Sequence, residues 1–345
     1  MKKIAVVFFA LSLLAACNNK KNAPDVSGVK VDLNLQRLDK DFFSLDTNNT
    51  GRDVAALQTK YPELLPLYLQ AIVGVSDTTG IKDFYSRYKI VYDTIQKVFS
   101  DFTPVKKEIE QGFRYVKHYF PAYQLPSSLI TLAGPMESIE DLARMGNGDY
   151  IPDFMGPGFM GISLQFYLGR NYSLYNTEYF VSNVAPLYRS RRFSKEYIVA
   201  DVMKLVAEDL FPDKSKGKPL VTQMIEKGKQ WWLLDRFLPE TPDSLKTGYT
   251  QQQLEWCDEN EGLIWSYITK NDELYSVTPS ILQTYIGEAP FTSVFSQELS
   301  PGNIGQWIGW QIVKKFAKSN PGLKLENIMQ TDPARILEDA KYKPK

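Results

Sequence analysis

At 345 residues the chain is long enough to bury a proper core, as one large domain or as two smaller ones. Lysine plus arginine equal aspartate plus glutamate at 40 each, so no surplus of positive charge points to a nucleic-acid partner. Of its two cysteines, Cys17 has the setting of a lipid attachment site and Cys257 stands alone, which excludes an intrachain disulfide and leaves stability to packing.

The chain opens with Lys2 and Lys3, an apolar run from Ile4 to Leu14, and then Leu14-Ala15-Ala16-Cys17. This is the pattern of a signal peptide. The run is about half the ~20 residues that a membrane-spanning helix needs, so it is expected to be removed. A cysteine directly after Leu-Ala-Ala is a lipobox. Cleavage before Cys17 is expected, with a diacylglyceryl group on the thiol and a fatty acyl chain of the palmitate type on the new amino terminus. Several acyl chains make the anchoring effectively stable. Residues 1–16 are thus assigned to the signal peptide and 17–34 to a polar tether, with 35–345 forming one globular domain. The mature chain lacks an early acidic cluster after Cys17, which favours the periplasmic side of a membrane, with the outer membrane preferred.

Beyond the tether, Ile81, Phe84, Tyr85, Tyr88, Val91, Tyr92, Ile95 and Phe99 repeat at helical spacing and predict a helix with three tyrosines on its apolar stripe. Val105, Ile109, Phe113, Val116 and Phe120 predict a second, started by Pro104 and stopped by Pro121. Leu129 to Ala133 reads as a buried strand, and Gly146 to Gly169 as a hairpin or meander with a strand at Ile162 to Leu168. Helices are then expected over Thr177 to Tyr188, Ser194 to Phe211, Leu220 to Leu238, Thr250 to Ile268 and Gly302 to Ser319. Ser194 is an expected N-cap, Thr250-x-x-Gln253 a capping box, and Ser300-Pro301 the start of the last helix. No internal repeat, low-complexity tract or domain-splitting linker interrupts them. The fold class expected is α+β, predominantly helical, with a small β-sheet region around residues 129–168.

Several motifs bear on chemistry. Gly156-Pro157-Gly158-Phe159-Met160-Gly161 matches G-x-G-x-x-G, yet the run after it is β-like where a dinucleotide loop needs a helix, and a hairpin is expected. His118 is the single histidine, which leaves no histidine set for zinc hydrolysis or for a conventional triad; a surface or helix-end place is expected for it. Cys257 reads as a small buried hydrophobe. Glu261 falls among Leu254, Cys257, Ile264, Trp265 and Ile268 on the apolar arc of its helix, where a carboxylate needs a cation, a metal or strong donors. An ion pair with an arginine from Arg189 to Arg192 and a functional pocket both stand open. Asp201 sits at the edge of its own apolar arc near Lys204 and Glu208, the setting of a solvated flank. Gly305 and Gly309, on the apolar side of the last helix, predict close contact with another helix.

Taken in order, the lipobox, Arg37-Leu38-Asp39-Lys40-Asp41-Phe42-Phe43, Phe166-Tyr167-Leu168-Gly169, Arg191-Arg192-Phe193-Ser194-Lys195-Glu196-Tyr197-Ile198-Val199, Trp256 through Glu261 to Trp265, and Ile304-Gly305 through Gly309-Trp310 to Val313 resemble the gliding-motility lipoprotein GldB family of Bacteroidetes. That family is similar to predicted zinc-dependent proteases whose active helix carries His-Glu-x-x-His. The resemblance implies a degenerate zincin-like scaffold, with Asp201 and Leu205 where the histidines would stand and Val202 in place of the general base. Glu261 would then be a relic of a metal site or a reused pocket group. No metal and no cofactor are expected beyond the covalent lipid on Cys17. The expected role is a non-catalytic accessory or scaffold in gliding motility or the associated secretion and envelope machinery, with other envelope proteins as partners. A metallopeptidase using Asp201 and Glu261, and a glycan- or peptide-binding lipoprotein with an aromatic groove near Gly146 to Gly169, are the alternatives.

Overall fold

A computed structural model describes residues 23–139, 151–271 and 273–344. The signal segment, Cys17 and the Gly146 end of the expected hairpin lie outside the described residues. Part of the expected tether is docked on the body: Val26 and Leu33 are buried, and the Leu33 amide donates to Glu110 Oε1 at 2.9 Å.

The helix-rich α+β character predicted from periodicity is present, with one small mixed sheet. Its strands are β1 (Asn34–Arg37), β2 (Ser128–Leu132), β3 (Phe154–Gly156) and β4 (Phe159–Ser163), in the order β1-β2-β4-β3. β1, β2 and β4 run parallel, and β3 is antiparallel at the edge. The first parallel step is long because three major helices, Thr50–Lys60, Thr78–Val98 and Thr103–Tyr119, lie between β1 and β2. The tyrosine-bearing stripe of Thr78–Val98 packs inward as expected, and Tyr92 stacks on Phe43 with ring centroids 4.6 Å apart.

The G-x-G-x-x-G match is the β3–β4 hairpin. Gly158 takes a φ of 77°, a left-handed turn position that glycine adopts at little cost. Gly156 pairs with Phe159, and Gly161 with Phe154. A Cβ on Gly156 would stand 2.3 Å from the Phe159 ring, and one on Gly161 2.5 Å from the Phe154 ring. Each phenylalanine therefore lies across its cross-strand glycine. Phe159–Ser163 replaces the strand expected over Ile162 to Leu168, because a 3-10 turn at Leu164–Phe166 ends the ladder.

In the second half, Ile198–Leu210, Leu220–Phe237 and Ile304–Ser319 form the interior. The close contact expected of Gly305 and Gly309 is made: Gly309 meets Leu220–Phe237, and Gly305 lies against Tyr285 and Ile286 of Pro279–Ile286 as well as Met224. A Cβ on Gly309 would fall 1.7 Å from the Met224 carbonyl oxygen, and one on Gly228 2.2 Å from the Gly309 carbonyl carbon. Backbone meets backbone there, so both glycines are required. One contiguous apolar core runs from Leu33 to Tyr342.

Several boundaries moved for local reasons. Thr177 to Tyr188 is two short helices, Glu178–Asn183 and Leu187–Ser190, parted around Pro186. Ser194 makes no side-chain cap bond, and a 3-10 turn at Lys195–Tyr197 leads into Ile198–Leu210. Thr250 and Gln253 do form the capping box, but the helix breaks at Asn260 into Gln251–Glu259 and Glu261–Lys270. There the Asn260 side-chain amide donates to the Trp256 carbonyl at 2.8 Å, competing with the helix ladder. The last long helix starts at Ile304, since Asn303 sits at φ 42°, a left-handed position asparagine tolerates. Ser300 is no cap: its hydroxyl donates to the Ser296 carbonyl at 2.6 Å.

Candidate functional site

Behind the hairpin, Ile198–Leu210 turns Asp201 inward rather than along a solvated flank. Asp201 is 9 % exposed, a correction to the expectation from its wheel position, where Lys204 and Glu208 suggested solvent. The cause is tertiary: Tyr167, from the turn after β4, brings a polar partner to this side of the helix.

Tyr167 places its hydroxyl 2.8 Å from Asp153 Oδ2 and 3.2 Å from Asp201 Oδ2. The Ser163 amide donates to Asp153 Oδ1 at 2.9 Å, and Lys204 Nζ donates to Asp201 Oδ1 at 2.8 Å. A phenol has one proton and cannot donate to two carboxylates at once. Two full hydrogen bonds at this hydroxyl require one of the acids to carry its own proton. Burial pushes the Asp153 carboxyl up to about 8, against the lowering effect of the Ser163 amide and the Tyr167 hydroxyl, and the nearby Asp201 raises it further. With its carboxyl raised, Asp153 is largely protonated at neutral pH and can donate to Tyr167 while Tyr167 donates to Asp201, which Lys204 also contacts. Burial also lifts the Tyr167 phenol well above its ordinary value, so it stays protonated.

This relay borders a cleft of about 100 Å³ lined by Arg189, Arg192, Asp201, Lys204, Trp231 and Glu288, among others. Such a volume is well short of the ~300–1,000 Å³ of typical small-molecule sites. Arg192 donates to Glu288 Oε1 at 2.9 Å, and Arg191 to the Gly248 carbonyl and Gln253 Oε1 at 3.0 and 3.1 Å. The arginine cluster thus serves Glu288 and a loop, not Glu261.

Glu261 is half-buried at the first turn of Glu261–Lys270, where Tyr342 donates to its Oε1 at 2.6 Å and packs edge-on against Trp265. Its partner is a tyrosine from the chain's far end, not an arginine of the Arg189 to Arg192 cluster. Asp201 lines the cleft beside Arg189 and Glu288, and Glu261 is not among the residues lining it. Both Asp201 oxygens are engaged, by Lys204 and Tyr167, and among the described residues no cluster of three or more His, Cys, Asp or Glu is placed to hold an ion. His118 is exposed in the last turn of Thr103–Tyr119, as expected of a helix-end residue. Cys257 is buried, and desolvation pushes its thiol far up, which makes it a poor nucleophile.

Two residues of the relay escaped sequence reasoning. Asp153 carried a faint signal, a lone acid between Pro152 and an unbroken apolar hairpin. Tyr167 lay within a quoted motif but had no partner to suggest a role. The groove sought near Gly146 to Gly169 is filled over most of residues 151–168, although Tyr172 and Tyr197 border an open depression of about 650 Å³ beside Gly169.

Among the described residues no helix is long and apolar enough to cross a membrane. No curated protein and no solved structure matches the chain. The family described as Gliding motility protein GldB does, over residues 19–344, a span that takes in β1, the hairpin, the Asp153–Tyr167–Asp201 relay and the paired glycine helices. The chain therefore belongs to the gliding motility protein GldB family.

Proposed function

We propose that this protein is a lipid-anchored envelope lipoprotein, held through Cys17 on the periplasmic face of the outer membrane. It serves gliding motility or the associated secretion and envelope machinery by holding partner proteins, not by catalysis. The degenerate zincin-like reading of its scaffold belongs to the same proposal. The supporting observation is the bonding around Asp201: Lys204 and Tyr167 each already engage one of its oxygens, so a metal or a substrate would have to share or displace those partners.

The test is crosslinking and affinity capture of the lipidated chain from its own envelope, beside peptide hydrolysis with added zinc. The same few envelope proteins should be recovered with wild type and with Asp201→Asn, and neither should cleave peptides. Capture of nothing but itself, or zinc-dependent cleavage lost in Asp201→Asn, would refute the reading.

A second reading, glycan or peptide binding, draws support from the depression edged by Tyr172 and Tyr197. Retention on a glycan or peptide array that disappears in Tyr172→Ala with Tyr197→Ala would favour it over scaffolding.

A further inference from the structure

On another part of the surface the C-terminal turns of Thr103–Tyr119, Leu220–Phe237 and Ile304–Ser319 meet around a cleft of about 570 Å³. His118, Arg236, Lys314, Lys318 and Lys324 line it, with Glu326 the one acid among the lining residues. Arg236, Lys318 and Lys324 make no ion pair among the described residues. The Arg236 guanidinium lies 4.8 Å from the Trp232 ring centroid, and Lys314 Nζ 3.0 Å from that of Trp310. Trp232 borders the cleft while only 3 % exposed, and its indole N–H has no hydrogen-bond acceptor among the described residues. On the rim, Leu323 is 39 % exposed next to Pro321.

Cations in the last turn of a helix complement its dipole, which accounts for His118, Arg236 and Lys318. That explanation does not reach Lys324, which stands at the N-terminal end of Leu325–Gln330, where a positive charge is unfavourable. Nor does it explain an indole donor buried without an acceptor.

We propose that this cleft binds a phosphate ester with an apolar edge. The guanidinium fork of Arg236 and the point charges of Lys318 and Lys324 supply the donors that a phosphate takes, and Leu323 and Pro321 offer a place for the carbon skeleton. The volume lies within the ~300–1,000 Å³ range of small-molecule sites. The ester is carried by the head group of an anionic phospholipid or by a soluble phosphorylated compound. The inference stands independently of the role in gliding and of the Asp201 relay.

The experiment uses the full lipidated chain in phosphatidylcholine nanodiscs, with tryptophan fluorescence as the readout. In one arm glycerol 3-phosphate is titrated in; in the other, phosphatidylglycerol replaces part of the bilayer. A saturable change is expected in at least one arm, weakened ~10-fold or more by Arg236→Gln with Lys318→Gln, as loss of charge-assisted contacts predicts. Lys107→Gln, an exposed change outside the cleft, should leave it unaltered. A response to the soluble ester assigns a free ligand, and a response to phosphatidylglycerol alone assigns a lipid head group. No saturable response in either arm overturns the proposal, as does a response unaltered in the double variant. Lys318→Gln alone, at an exposed side chain, supplies the same comparison if the double variant fails to fold.

Discussion

Tyr167 joins two acids that the chain keeps 48 residues apart, Asp153 at the foot of the hairpin and Asp201 within a helix. Its single proton makes the relay dependent on Asp153 staying neutral. A raised value in the folded state means that the native protein keeps a proton that an unfolded aspartate, at 3.8, has released. The contribution of Asp153 is thus fully present below about pH 4 and is lost as pH rises through about 8. Asp153→Asn stays neutral throughout. Its melting temperature should therefore fall less than the wild type's between about pH 5 and pH 8, and parallel profiles would disprove the protonated assignment. Asp39, in the family-like Arg37 to Phe43 motif, has a different role. It is fully buried, accepts two bonds from Arg37 at 2.8 and 2.7 Å, and also accepts from Thr131 and Gln96. Those residues tie β1, β2 and Thr78–Val98 together, so this motif is structural. Chain order made the motif visible but not its partners, because Thr131 and Gln96 are distant in sequence.

At the scale of elements, the Gly228–Gly309 crossing holds Leu220–Phe237 against Ile304–Ser319. Gly309→Ala must push a methyl into the Met224 carbonyl, and only separating the helices can relieve that. It should cost about 3 kcal/mol or more, since overpacking of backbone against backbone cannot be absorbed by a rotamer change. Gly322→Ala, with nothing within 4 Å of the added carbon, should change stability by less than about 0.5 kcal/mol. Urea unfolding of the two variants checks the contrast, and equal midpoints would refute the close crossing. The helices were legible because apolar residues recur every three to four positions whatever they pack against. Gly305 and Gly309 announced a contact for the same reason, whereas Gly228, on a helix buried nearly all round, stood out from no polar face. Ends were less legible, since Asn260 and Asn303 act through backbone angles and local bonds that composition does not display.

For the whole molecule, family membership and the lipobox point to the same compartment. Wild-type protein recovered from membranes should begin at Cys17 and carry added acyl mass. Cys17→Ala should carry none, and should either retain its leader or leave the membrane fraction. Intact-mass measurement decides this; an unmodified Cys17 with the first 16 residues attached would contradict lipid anchoring.

Sequence by itself determined the helical stripes, the hairpin glycines and the family, because each is written in neighbouring residues or in their order. Only the tertiary structure decided that Asp201 turns inward to Tyr167 and Asp153, that Glu261 answers to Tyr342, and that cations converge at three helix ends. Burial and pairing depend on which distant segments meet, and an isolated helix carries no record of what will cover it.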